Sequence, residues 1–232
     1  MKVAAIIPAA GKGSRLKSPV LKPFVRVAGK PLLIHTLQNL SRSYGFSEVI
    51  IAAPSSSVGR FSALIRRFGF RNVRVVAGGR TRAESVKKAL WQLSSGSQWV
   101  LVHDAARPFV SSPLIRRLIS AVRRTGAAIC AVPVTSTMKR INPSKKVIIK
   151  TQDRDGYWLA QTPQVFARPL LIKKYKALGE RAWGKTDEAA LFDGSSVSVK
   201  VVPGDSRNIK ITTPDDLEWM RFYLAHARRN RL

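Results

Sequence analysis

The chain is predicted to be an α/β protein, a Rossmann-like, mostly parallel sheet flanked by helices, with a projecting β-hairpin arm. Three observations carry that expectation. Apolar runs without alternation, at Val3 to Ile7, Val49 to Ala53 and Trp99 to His103, suit strands covered on both faces. Amphipathic stretches at helical spacing separate them, and strand-helix-strand alternation implies parallel strands joined by right-handed crossovers. The rhythm breaks once, between Thr137 and Trp158, where two extended segments flank an Asn142-Pro143-Ser144 turn.

The 232 residues are 45% apolar and 8% aromatic, enough to bury one sizeable core, so residues 1–232 are expected to form a single domain with an arm at about 137–160. Cys130 is the sole cysteine, which excludes an intramolecular disulfide framework and leaves too few sulfurs for a zinc site. The apolar start ends at Pro8, too short for a signal-peptide core, and no later run approaches a membrane span. A cytoplasmic location is expected. Charge is extreme, with 41 Lys and Arg against 13 Asp and Glu, a formal net charge of +28. Such an excess attracts polyanions, so a basic nucleic-acid-binding protein is the competing reading. The basic residues are scattered in pairs such as Arg66-Arg67, Arg116-Arg117 and Lys173-Lys174, and only the tail from His226 to Arg231 is locally dense. That scatter reads as solvated surface and argues against specific nucleic-acid binding.

The first strand feeds directly into PAAGKGSRLKSPVLK, Pro8 to Lys22. Gly11 and Gly13 let the backbone turn N–H groups onto one anion, and Lys12, Arg15, Lys17 and Lys22 add cations within and just beyond the loop. A nucleotide phosphate site is the functional reading; a plain turn before a crossover helix is the alternative. The loop matches neither GxGxxG, because Leu16 stands in place of the third glycine, nor GxxxxGK[ST]. PAAGKGSR followed by a lysine does resemble the signature loop of nucleotidyltransferases that join a sugar or polyol phosphate to a nucleotide, and Lys22 occupies the position of their catalytic lysine.

Further on, Lys30 to Leu40 and Phe61 to Phe68 read as helices, and Val73 to Ala77 as a strand closed by Gly78-Gly79. In such sheets the ligand crevice lies beyond the carboxyl ends of the strands, where the Gly11 loop and the Gly78-Gly79 turn both fall. Arg82 opens a helix through Leu93 in which Ser85 either reaches toward the crevice or merely caps the helix. The strand ending at His103 runs into Asp104-Ala-Ala-Arg107-Pro108. Asp104 suits a magnesium ion or a substrate hydroxyl, or else forms a buried pair with Arg107. His103 is expected to be packed and hydrogen-bonded.

HDAARP, TPQVF (Thr162 to Phe166), TDEA (Thr186 to Ala189) and NIKIT (Asn208 to Thr212), in this order, resemble the 2-C-methyl-D-erythritol 4-phosphate cytidylyltransferase family over nearly the whole chain. The resemblance implies attack of the polyol phosphate on the α-phosphate of CTP, releasing pyrophosphate, with Mg2+ as cofactor, in non-mevalonate isoprenoid synthesis. It implies Arg15, Lys22 and Lys210 around the reacting phosphates, and the base read near Ala9, Ala10, Gly78 and Gly79 with Ser85 helping. Asp104, Arg107, Thr137, Arg154 and Thr186 would meet the polyol phosphate, with Asp104 also the metal ligand. Ribitol 5-phosphate is the alternative acceptor. It further implies a homodimer in which the arm, exposing Val147, Ile148 and Ile149, embraces a second subunit and carries Arg154 into its site; an arm folded on its own core with Arg154 solvated is the alternative. The chain departs from the family pattern at Leu21-Lys22-Pro23-Phe24, where Pro-Lys-Gln is usual, and at Ser206-Arg207, where many members place an acid.

Overall fold

Val3, Ala5 and Ile7 point to one side of strand β1 (Val3–Pro8) and Ala4 and Ile6 to the other, and all five are buried. A strand with no polar face must be covered on both sides, which makes β1 the middle of the molecule. The computed structural model describes residues 1–11 and 13–229. Lys12, invoked for the glycine loop, and the end of the basic tail, invoked in the charge argument, lie outside the described residues.

In chain order follow β2 (Arg26–Val27), β3 (Lys30–Pro31), α1 (Leu32–Ser43), β4 (Val49–Ala53), α2 (Val58–Arg67), β5 (Val73–Ala77), α3 (Arg82–Trp91), β6 (Trp99–Val102), α4 (Ser112–Thr125) and β7 (Ala127–Pro133). Then come β8 (Met138–Asn142), β9 (Val147–Gln152), β10 (Trp158–Ala167), α5 (Arg168–Leu178), β11 (Lys200–Pro203) and α6 (Pro214–Arg229). Seven strands form one sheet in the order β11-β7-β10-β6-β1-β4-β5, in which only β10 runs against its neighbours. The expected mostly parallel sheet is therefore present. β1 has β4 on one side and β6 on the other, so the strand order reverses at β1 and a crevice opens at its carboxyl end.

Helices cover both faces by period. In α4, Leu114, Ile115, Leu118, Ile119 and Val122 are buried, each side chain contributing about 1.5–3 kcal/mol by leaving water, while Arg116, Arg117, Arg123 and Arg124 face solvent. Two of the arginine pairs are thus the wet side of an amphipathic helix. A third apolar cluster, built on Leu16, Val27, Leu32, Ile211, Leu217 and Met220, seats α6 behind the glycine loop.

Helix and strand ends shift by up to three residues, as at α2, which starts at Val58 and not at Phe61, and two differences change an assignment. Lys30-Pro31 pairs with Arg26-Val27 in a small hairpin, turned by Ala28 and Gly29 at φ 47° and 81°, and the helix starts at Leu32. Pro31 cannot donate within a helix interior, so it marks the start. Trp158–Ala160, placed by the sequence at the end of the arm, pair with Pro133, Val132 and Ala131 and so belong to the main sheet. The projecting part is the β8–β9 hairpin alone.

Candidate active site

The glycine loop, the turn after β5, the loop after β6 and the loop after β11 meet at one edge of the sheet and enclose a cavity of about 290 Å³. Ala9, Ala10, Gly11, Gly13, Arg15, Lys22, Gly79, Ser85, Asp104 and Lys210, all singled out from sequence, line it. Its charged wall, among the described residues, is Arg15, Lys22, Arg80, Arg82 and Lys210 against Asp104 alone. Such a wall is built for an anion.

The loop geometry depends on glycine at two places. Gly13 has φ +64°, and a Cβ there would stand 2.8 Å from the Cβ of Lys22, so only glycine lets the loop pass this close to the lysine stem. A Cβ on Gly78 would meet the Cβ of Ala10 at 2.8 Å and Oγ of Ser85 at 2.9 Å. Gly78 itself lies behind the lining. The Ser85 hydroxyl, offered by the sequence as either crevice group or cap, donates to the Thr81 carbonyl at 2.8 Å and accepts from Gly79 N–H at 3.0 Å, which locks the turn. Three of the amides that the resemblance places near the base have partners within the chain. Ala9 N–H donates to the Ala52 carbonyl, Gly78 N–H to the Ala53 carbonyl and Gly79 N–H to Ser85. Those amides hold the wall in shape.

Asp104 is the hub of the charged side chains. Its Oδ1 accepts from Arg82 Nε at 3.3 Å, and its Oδ2 faces Lys210 Nζ at 2.9 Å and Arg107 Nε at 3.4 Å. Burial pushes its carboxyl up, but Arg82, Lys210 and Arg107 outweigh that and hold it well below the usual carboxylate range. The sequence alternative of a buried Asp104–Arg107 pair is thus present as one part of a larger cluster. Arg107 stands outside the cavity lining and also donates to the Asn208 carbonyl at 2.7 Å, bracing the loop that carries Lys210. Lys22 is pushed down to about 8 by burial and by the neighbouring Lys210 and Arg15, with Asp104 opposing.

The remaining motifs hold this cluster in place. His103, pushed down to about 4 by burial, bonds the Arg107 carbonyl at 2.9 Å and Thr162 Oγ1 at 3.1 Å, the packed role expected. Thr162 also accepts from Asp104 N–H, and buried Asn208 donates to the Thr162 carbonyl at 2.8 Å. Ile211 N–H donates to the Ala106 carbonyl, so Lys210 is pinned from both sides. Thr137 and Arg154 lie exposed at the base of the arm, where Arg154 Nη1 donates to the Thr135 carbonyl, and Thr186 is exposed beside Asp187. None of these three lines the cavity. Sequence reasoning missed Arg82 as a site residue. Its only signal was a T-x-x-E helix start, realised as Thr81 Oγ1 accepting from Glu84 N–H.

The family model for IspD, 2-C-methyl-D-erythritol 4-phosphate cytidylyltransferase, matches residues 3–226. The chain belongs to the IspD family. A 2-C-methyl-D-erythritol 4-phosphate cytidylyltransferase of Syntrophus aciditrophicus is 39% identical over 218 residues, covering 93% of each chain. A bifunctional IspD/IspF enzyme of Desulfotalea psychrophila is 39% identical over 92% of this chain, which spans 54% of that longer protein. The crystal structure of 4-diphosphocytidyl-2C-methyl-D-erythritol synthase from Anaerococcus prevotii superposes with a TM-score of 0.82 at 32% identity, covering 97% of this chain and 98% of that one. As an IspD-family member the chain is a nucleotidyltransferase of isoprenoid biosynthesis.

Proposed function

We propose that this cavity is where CMP passes from CTP to 2-C-methyl-D-erythritol 4-phosphate, and that Arg15, Lys22 and Lys210 are its catalytic cations. The observation that carries the reading is the cluster of those cations, two glycines and Asp104 around one space. A phosphate oxygen of the polyol forms the new bond to the α-phosphorus as the bond to the β-phosphate oxygen breaks, and pyrophosphate leaves with that electron pair. The attacking oxygen is already anionic, so no general base is needed. What the chain must supply is orientation and cations where charge accumulates. Lys22, drawn into the loop beside Gly13, and Lys210, fixed on Asp104, are placed for that before substrate arrives.

Among the described residues no group of three His, Cys, Asp or Glu comes together to hold a metal. The one cavity carboxylate, Asp104, is shared among three basic side chains. That donor set fits magnesium carried mainly by phosphate oxygens with Asp104 as the protein's carboxylate, the usual arrangement for this ion beside phosphates. When bound, it would offset repulsion between the two phosphate-bearing substrates.

The chain is read as one domain, since its three apolar clusters share a single sheet and the α6 layer behind it. The arm is read as a dimer contact, because Ile148 and Ile149 are 63% and 55% exposed and a lone apolar hairpin is marginal in water. Arg154 would then reach the neighbour's polyol phosphate, with Thr137 beside it and Arg107 and Thr186 supporting from the loops behind the cavity. A cytoplasmic location fits the buried free thiol of Cys130. Pyrophosphate release, measured for each nucleoside triphosphate with methylerythritol phosphate or ribitol phosphate in magnesium, tests the reading. Release should require CTP and favour methylerythritol phosphate; none with that pair would overturn it.

A further inference from the structure

Arg82 is the cavity cation with the most elaborate support. Its Nη1 donates to both carboxylate oxygens of Glu188 at 2.8 Å, and its Nε donates to Asp104. Glu188 is wholly buried, 106 positions away in the chain, and its carboxylate also accepts from Tyr175 O–H at 3.2 Å. The Gln164 side chain fixes the Glu188 backbone by accepting from its N–H and from that of Ala189. Burying a carboxylate behind the site wall is costly unless something is gained from the charge it holds.

A guanidinium is a planar fork with five donors in fixed directions. With Nε committed to Asp104 and Nη1 to Glu188, the plane cannot turn, and only Nη2 is left. That atom is buried and has no hydrogen-bond partner. The arginine it belongs to lines the cavity. A buried donor of a charged group is seldom left unmade, and a ligand oxygen is the partner the cavity can supply. The neighbours indicate which part of the ligand. Arg82 meets Oδ1 of Asp104 while Lys210 meets Oδ2, and the cations that depress Lys22 are Lys210 and Arg15. On its own side Arg82 follows Thr81, whose carbonyl holds the Ser85 hydroxyl that in turn holds the Gly79 turn, and all four residues line the cavity.

We propose that Arg82 is a nucleotide-binding residue whose Nη2 donates to an oxygen of the nucleoside half of CTP, and that Glu188 is the positioning residue that aims it. The inference rests on CTP being the substrate of this cavity. Glu188 touches no ligand; it fixes the guanidinium plane and, through Arg82, the Oδ1 side of Asp104. Arg82→Lys keeps a cation for Glu188 but loses the fork. It should weaken binding of CTP, CDP and CMP alike, each by about 10-fold or more, the scale of one lost hydrogen bond from a charged donor. Glu188→Gln should weaken the same three nucleotides more than it raises the KM for the polyol phosphate, which Glu188 touches only through Arg82 and Asp104.

The experiment is calorimetric titration of the three nucleotides into the full chain and both variants, with thermal unfolding alongside and pyrophosphate release by the unsubstituted protein as reference. Unaltered nucleotide affinity in folded Arg82→Lys overturns the proposal. A loss confined to CTP and absent for CMP overturns the nucleoside assignment and moves the contact to the triphosphate. Should Glu188→Gln fail to fold, Arg82→Lys decides the matter alone. Absence of turnover with CTP in the unsubstituted protein would instead remove the reading on which the inference stands.

Discussion

The cavity and the β8–β9 arm both carry many cations, and the chain treats them in opposite ways. In and behind the cavity the cations nearest Asp104 are held in place: Lys210 on Asp104, Arg82 on Asp104 and Glu188, and Arg107, just outside the lining, on Asp104 and the Asn208 carbonyl. On the arm, Arg140, Lys145, Lys146 and Lys150 are exposed, Lys139 reaches only Thr151 Oγ1, and the residues between them include Val147, Ile148 and Ile149, all more than half exposed. The difference teaches where function is already built. Catalytic geometry needs groups fixed before substrate arrives, and one chain fixes them. The arm instead leaves an apolar strand exposed, the feature on which its proposed role as a contact rests.

The largest effect should come from the fixed side of that contrast. Lys22→Ala should lower kcat by about 100-fold or more with little change in the KM for CTP, since its charge matters most as negative charge builds on the α-phosphate. Lys210→Ala should cost a comparable amount. Steady-state kinetics separates the two outcomes: a variant that keeps kcat and loses only CTP affinity marks Lys22 as a binding residue.

The arm is tested by substrate selectivity. If Arg154 crosses to the neighbour's site, Arg154→Ala should raise the KM for the polyol phosphate by about 10-fold or more, the loss of a guanidinium from an anion, and leave that for CTP within about twofold. Mixed dimers sharpen it. Exchange with excess Lys22→Ala subunits gives dimers in which one site holds both lesions and the other neither, so activity should rise above that of either variant. No recovery, with exchange verified by a tagged subunit, refutes the cross-subunit role.

A smaller change addresses what covers the arm. Ile148→Asp should leave thermal unfolding of the single chain nearly unchanged, because Ile148 is 63% exposed and makes no core contact to lose. In sedimentation it should weaken dimerisation by about 10-fold or more, because a carboxylate would sit in an apolar contact. Equal dimer strength in both proteins would send the interface elsewhere.

The same contrast explains what could be read from sequence. Strands β1, β4, β5 and β6 were legible because each is a largely apolar run between turn residues, and the glycine loop because Gly13 and Lys22 lie close in the chain and in space. Trp158–Ala160 misled because the exposed end of a sheet strand has the composition of an arm. Arg82 was invisible for another reason. Its partner Glu188 is 106 positions away and Asp104 is 22, so no local spacing signals the pair, although TDEA stood out, with Thr186 and not Glu188 given the role. TPQVF and NIKIT likewise stood out, but their work is to tie Thr162, Gln164 and Asn208 to one another's loops, which only the fold brings together.

pH should separate the two regions last and most finely. Lys22 titrates near 8 in the folded chain, below its ordinary value of 10.5, because burial and the neighbouring Lys210 and Arg15 disfavour its charge. If the charged form is the active one, kcat/KM for CTP, which reports the free enzyme, should fall about fivefold between pH 8 and 9. Bound triphosphate restores favour to the ammonium, so the fall in kcat should come at higher pH. The stability sign is opposite. Between about 8 and 10.5 the unfolded chain binds the Lys22 proton that the folded chain has released, so this group's destabilising contribution, full below the folded pKa, fades as pH rises. Activity should therefore drop while unfolding temperature does not fall with it on account of Lys22, and Lys22→Arg should move the activity fall to higher pH because a guanidinium keeps its charge. If the arm is a dimer interface built on its apolar strand residues, dimer strength should hold over the same range. A kcat/KM profile that stays flat from pH 7.5 to 9.5 would remove Lys22 from the reacting charge.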